Sequence, residues 1–153
     1  MMTSDLFSTT GYILWHMDIT KSQQNKLQNE NILYKNGNRC SKYCPSNFRG
    51  VFLRNTLPKR PKKNECGILN LDDTSGNGTH WVAWYKNGKN KYYFDSFGVQ
   101  PPTELITYLS SPIHYNTEEI QPRDQVFCGH LCLYVLKHLS DGEKFQDVIN
   151  TLY

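Results

Sequence analysis

Cys128 stands in the string Gln125-Val126-Phe127-Cys128-Gly129-His130, at the predicted start of a helix. The thiolate form of cysteine attacks carbonyl carbon, and the positive end of a helix together with a neighbouring imidazolium favours that form. Gly129 keeps the approach to the sulfur free of a side chain. Cys132, one turn later, falls in the apolar series of the same helix, and Cys128 taken alone reads as an equally inert core residue. A base on another element is what would set it apart.

His80 and Asp95 supply one. They bracket HWVAWYK, Asn87-Gly88 and KNKYYFD, a hairpin signal in which a two-residue Asn87-Gly88 loop sets Lys86 opposite Lys89. Counted outward, that register sets His80 opposite Asp95, on one face and close enough for a carboxylate to hold an imidazole N–H. A nucleophile, a base and an orienting acid on separate elements meet the general requirement of a thiol hydrolase. Stabilising the oxyanion needs a further donor, and Gln121 and Gln125 both precede Cys128 at loop positions, beside the Cys128 backbone N–H. Spacing does not choose between them.

These residues require a scaffold. Phe48 to Leu53 and Cys66 to Leu71 read as strands, and Pro58 and Pro61 exclude a central strand between them, so the basic run Lys59-Arg60-Pro61-Lys62-Lys63 falls on a loop. Both faces of the hairpin are apolar, Val82, Trp84 and Tyr93 on one and Trp81, Ala83, Tyr92 and Phe94 on the other, which predicts strands central in a sheet covered by helices. Pro101-Pro102-Thr103-Glu104 opens a short helix to Leu109, and Ile113 to Ile120 reads as another strand. From Cys128, Leu131, Cys132, Val135, Leu136 and Leu139 recur at three and four, predicting a helix buried along one stripe, with a last helix near Lys144 to Leu152. The fold class is α+β: a central, mostly antiparallel sheet flanked by helices. Residues 20–45 are rich in Asn, Gln, Lys and Ser with weak periodicity, so residues 1–45 are read as an N-terminal arm and residues 46–153 as the core domain.

Length sets the rest of the frame. A chain of 153 residues accommodates one domain with a working core. Seventeen Lys and Arg against fourteen Asp and Glu give a mild basic excess that permits nucleic-acid contact without requiring it. No apolar run approaches the roughly 20 residues of a membrane span, and no basic segment precedes the N-terminal apolar patch, so neither a membrane partner nor secretion is expected. Five cysteines, an odd set partly in core contexts, favour a reducing compartment over a disulfide framework.

The motifs FRGVF, ECGILNLD, GTHWVAWY, YYFDSFG and a glutamine seven residues before CGHLCLYVL occur in that order, and between Phe48 and Leu139 the chain resembles the adenovirus protease (adenain) family, in the clan that includes the SUMO-specific proteases. The resemblance implies a cysteine protease with Cys128 as nucleophile, His80 as base, Asp95 as acid and Gln121, rather than Gln125, as the oxyanion glutamine. It implies peptide-bond hydrolysis through a thioester, a polypeptide substrate, no required cofactor or metal, and DNA as a candidate activator; the basic composition of the loop makes Lys59, Arg60, Lys62 and Lys63 the residues that would contact it. A monomer in the host cytoplasm or nucleus, or in a virion, is the matching expectation. The acid is Asp, as in the SUMO-specific branch, where adenovirus enzymes use Glu. No cysteine lies between Cys66 and Cys128, so the disulfide that adenovirus enzymes form with an activating peptide is not carried over.

Three other readings compete, of which a catalytically dead relative kept as an interaction domain is disfavoured because nucleophile, base, acid and glutamine are all present. A SUMO- or ubiquitin-like-specific isopeptidase shares the same residues. A zinc module would draw on Cys40, Cys44, Cys66, Cys128, His130, Cys132 and His138, but the spacing lacks the close ligand pairs of structural zinc sites, and His130 reads as a surface or capping residue.

Overall fold

The computed structural model describes residues 45–71, 80–123 and 128–152; residues 1–44 of the N-terminal arm, Cys40 and Cys44 among them, and Gln125 lie outside the described residues. Five strands form one sheet in sequence order: β1 (Phe48–Leu53), β2 (Asn64–Asn70), β3 (Trp81–Asn87), β4 (Asn90–Phe94) and β5 (His114–Tyr115). The central pairings β2 with β3 and β3 with β4 are antiparallel, and the outer pairs β1 with β2 and β4 with β5 are parallel. Among the described residues the helices are α1 (Thr103–Leu109), α2 (Cys128–Ser140) and α3 (Phe145–Asn150).

Strand periodicity explains the layers. Leu69, Val82, Trp84 and Tyr93 point to one face and are covered by Leu105 and Leu109, one helical turn apart on α1. Ile68, Ala83 and Phe94, displaced by one residue, point to the other and pack against Cys132, Leu136, Val148 and Ile149 of α2 and α3. Apolar side chains on both faces make β3 a central strand with helices on each side, as predicted.

The hairpin register differs from the expected one. Ala83 pairs with Phe94, Lys86 with Lys91 and Asn87 with Asn90, so the loop is Gly88-Lys89 and not Asn87-Gly88. Asn87 is held in the ladder from both sides, since it also pairs with Asn64 of β2. Gly88 takes φ +59 at the first loop position, and its N–H bonds to Lys63 O and Asn64 Oδ1. The slip moves each partner by two residues, and an even slip leaves the face assignments intact.

The predicted strand from Ile113 to Ile120 is a strand only at His114–Tyr115. Beyond Tyr115 the chain leaves the ladder because its groups bond to the turn after β4: Ile120 N and Gln121 N both donate to Ser96 O. Helix α2 is also more enclosed than one stripe. From Cys128 to Leu136 every residue but Leu131 is buried, so its first two turns lie in the interior on nearly all sides.

Candidate active site

His80 immediately precedes β3, and its carbonyl still accepts from Leu71 N at 2.9 Å, so its backbone is fixed by the β2–β3 ladder. Asp95 immediately follows β4. Continuing the pairing of Ala83 with Phe94 would set Asp95 opposite Val82, so the residues are diagonal neighbours at the open end of the hairpin and not a direct pair. They meet nonetheless: His80 Nε2–H donates to Asp95 Oδ1 at 2.7 Å. The carboxylate is 1% exposed and the histidine 9%, so the contact is screened from water.

The four residues Asp95-Ser96-Phe97-Gly98 form the turn that organises the site. Phe97 N donates to Asp95 Oδ1 at 2.8 Å, an Asx turn that fixes the carboxylate. Asn116 clamps the Asp95 backbone, its Oδ1 accepting from Asp95 N and its Nδ2 donating to Asp95 O. Ser96 Oγ donates to Gln121 Oε1 at 3.0 Å, which fixes the amide with Nε2 as its donor end. The Phe97 ring stacks on the His80 imidazole at 4.2 Å and 9°. Gly98 adopts φ +69, and a Cβ there would come within 2.6 Å of Thr117 O, so glycine alone lets the turn lie against the 116–121 segment.

Cys128 opens α2 and hydrogen-bonds the imidazole; with Nε2 engaged by Asp95, that bond falls to Nδ1. Burial by itself lowers the pKa of His80, but the hydrogen bonds and charges of Asp95 and Cys128 outweigh it and push it up to about 9. The imidazolium therefore persists at neutral pH. Among the other described cysteines, burial pushes the Cys66 thiol up to about 12, with the Glu65 charge adding to it, and burial raises Cys132 well above its usual range. Both are held as thiols, whereas Cys128 alone touches a cation.

Of the four predicted residues, the structure brings His80, Asp95 and Cys128 into one hydrogen-bonded series and ties Gln121, itself 1% exposed, to the acid's own turn. Ser96, Phe97, Asn116 and Arg123, whose guanidinium lies over the Phe97 ring at 5.1 Å, escaped sequence reasoning. Asp followed by Phe at two residues and Gly at three was the available turn signal.

His130 is no surface residue. It is 1% exposed, neither ring nitrogen has a hydrogen-bond partner among the described residues, and burial pushes its pKa down to about 4. No group of three or more His, Cys, Asp or Glu among the described residues is placed to hold a metal ion. A cavity of about 600 Å³ between Tyr85, Tyr92, His114 and Phe145 lies at the opposite end of β3 and β4, and its walls contain no cysteine.

An imidazole shared by a buried carboxylate and a cysteine at a helix start, on a sheet covered by helices on both faces, is the arrangement of a thiol hydrolase. The relatives are of that class. The chain is 25% identical over 116 residues to a SUMO-1 cysteine protease of African swine fever virus, across 65% of this chain and 42% of the relative. It is 45% identical over 38 residues to a protease of Bovine adenovirus 2, across 24% of this chain and 18% of that protein. The crystal structure of the African swine fever virus protease superposes with a TM-score of 0.51 at 19% identity, covering 71% of this chain and 55% of that one, a likeness that shows the fold. The chain is thus homologous to viral cysteine proteases of the adenain and ubiquitin-like-protease group. It spans less than half the length of the curated relatives it matches. No family model matches.

Proposed function

We propose that the chain is a cysteine endopeptidase, a processing protease of viral or transposon type, with His80, Asp95, Gln121 and Cys128 as its catalytic residues. The observation that carries this is the His80 imidazole held between the buried Asp95 carboxylate at 2.7 Å and Cys128 at the first position of α2. With its proton resting on His80, Cys128 attacks the scissile carbonyl carbon as the thiolate, forming the C–S bond of a tetrahedral intermediate. Gln121 Nε2–H and the Cys128 backbone N–H donate to its oxyanion. His80 then protonates the leaving amine, the C–N bond breaks, and a thioester remains. His80 next takes a proton from water as the water attacks the thioester; the C–S bond breaks, releasing the acid and the Cys128 thiolate, and the proton stays on His80. Asp95 keeps the imidazole oriented throughout and stabilises its charged form.

The test is hydrolysis of a fluorogenic peptide library by wild type and Cys128→Ala. Hydrolysis abolished in a variant of unchanged circular dichroism is the expected result; hydrolysis that survives ends the proposal. The chemistry uses no metal, so EDTA leaves activity intact while iodoacetamide ends it, and loss on chelation would favour the zinc alternative.

A second reading, SUMO- or ubiquitin-like-specific isopeptidase activity, is favoured by the Asp at the acid position and by the name of the African swine fever virus relative. Cleavage of a ubiquitin-like fusion after its Gly-Gly tail, set beside cleavage of short peptides, separates the two. DNA as an activator would act through Lys59, Arg60, Lys62 and Lys63.

A further inference from the structure

Arg123 follows Gln121 by two residues on the segment that leads to Cys128, and its side chain is exposed. Its guanidinium makes no hydrogen bond or ion pair among the described residues, although Glu118 and Glu119 lie on the same segment. Its one recorded contact is the Phe97 ring, 5.1 Å from the ring centroid. The imidazole of His80 covers one face of that ring, leaving the other for the guanidinium.

A guanidinium laid on an aromatic face is held in place while its N–H donors, which lie in its own plane at the edge, remain available. Cation–π contact thus orients Arg123 without consuming its hydrogen-bonding capacity. The group best matched to such a planar fork is a carboxylate, which accepts two parallel N–H bonds. Arg123 is also not among the groups that set the charge state of His80, which are burial, Asp95 and Cys128. Because the side chain is exposed, its charge is open to what approaches the site.

We propose that Arg123 is a specificity-determining residue that receives an acidic side chain of the polypeptide substrate. The two contacts of Phe97 put the guanidinium within about 10 Å of the imidazole. An extended chain advances about 3.3 Å per residue, so the acidic residue lies within about three positions of the scissile bond. Phe97 is then a positioning residue twice over, for the base on one face and for the specificity cation on the other. This inference rests on the endopeptidase reading.

The experiment uses the full chain and a fluorogenic peptide library in which one Glu, Gln or Lys is moved through three positions on each side of the cleavage site. The readout is the ratio of kcat/KM between peptides differing only at that residue, which divides out any general loss of activity in a variant. Wild type should prefer Glu over Gln by about tenfold at one position, the scale of a charge-assisted pair. Arg123→Gln should bring that ratio to about one, and Arg123→Glu should transfer the preference to Lys. A wild type that cleaves but shows no charge preference overturns the inference and leaves the endopeptidase reading standing. An Arg123→Gln variant that slows on both peptides with the ratio intact overturns it too, since Arg123 would then only support Phe97. Loss of binding to single-stranded DNA in that variant, with no peptide preference in wild type, replaces the carboxylate by a phosphate. A wild type that cleaves nothing and whose Cys128 resists a thiol-reactive probe ends both proposals.

Discussion

Two buried histidines in this chain are pushed in opposite directions. His80, at the open end of the hairpin, has a carboxylate 2.7 Å from one ring nitrogen and a cysteine on the other, and its pKa is driven up to about 9. His130, two residues past Cys128 on α2, has no partner for either nitrogen among the described residues, and burial drives it down to about 4. Enclosure is common to both; only the partners differ. A buried imidazole becomes a charged acid–base group where a carboxylate meets the cost of its desolvation, and stays a neutral filler where none does.

The comparison breaks most directly at Asp95. Asp95→Asn should make His80 resemble His130 electrostatically, lowering kcat/KM by about 100 to 10,000-fold. In wild type the alkaline limb of the activity profile should lie near pH 9, where His80 loses the proton it gives to the leaving amine. In the variant that limb should move to lower pH; a limb that stays near 9 would assign it to another group.

The oxyanion side offers the next largest effect. Gln121→Ala should lower kcat by about 10 to 1,000-fold with little change in KM, because the donor acts in the transition state. Ser96→Ala should produce a smaller fall of the same kind, partly restored by Ser96→Thr, since the hydroxyl only holds Gln121 Oε1. Equal KM effects in both variants would point to substrate binding instead.

The histidines also pull stability in opposite directions with pH. His80 has a folded pKa above its ordinary 6.5, so its contribution is complete below about pH 6.5 and is lost as pH rises through about 9. His130 is lowered, so its neutral burial is harmless above about pH 6.5, and stability is lost as pH falls toward about 4 and the unfolded chain takes up the proton. His130→Leu should remove this acid sensitivity and stabilise the fold by about 1 kcal/mol or more, because no hydrogen bond is sacrificed. Urea unfolding at pH 5 and pH 7 measures both. A variant still as acid-labile as wild type would assign the sensitivity to another group, and a destabilised variant would mean that the imidazole has a partner.

The smallest effect on catalysis is expected at the far end of the hairpin. There the basic loop is docked by Lys86 Nζ on the Lys62 and Lys63 carbonyls, and by Gly88 N on Lys63 O. Replacing Lys59, Arg60, Lys62 and Lys63 with Ser or Gln should weaken DNA binding and flatten its salt dependence, with short-peptide hydrolysis nearly unchanged. A wild-type chain without DNA affinity at low salt ends the idea of a DNA activator.

Much of the scaffold was legible because period-two and period-3.6 patterns survive local error. Strands β1 to β4 and helices α1 to α3 stand close to their predicted ranges, and the faces of Val82, Trp84 and Tyr93 held although the register slipped by two. The meeting of His80 and Asp95 was legible in the hairpin but not its diagonal geometry, which depends on Asn87 being paired from both sides. Ser96, Phe97 and Asn116 were not legible. Their roles come from a turn and a segment about 20 residues apart docking on one another, which no local pattern records. His130 was misread because helical spacing places it opposite Cys132, away from the sheet, and does not register that α2 is enclosed on that side too.

The most direct test of the account is mass-mapped modification by a thiol-reactive peptide probe in wild type and His80→Ala at neutral pH. Modification at Cys128, ahead of the other four cysteines and slowed markedly by His80→Ala, is the predicted result. Modification at Cys66 or Cys132, or at Cys128 with equal speed in both proteins, would contradict the claim that His80 activates Cys128.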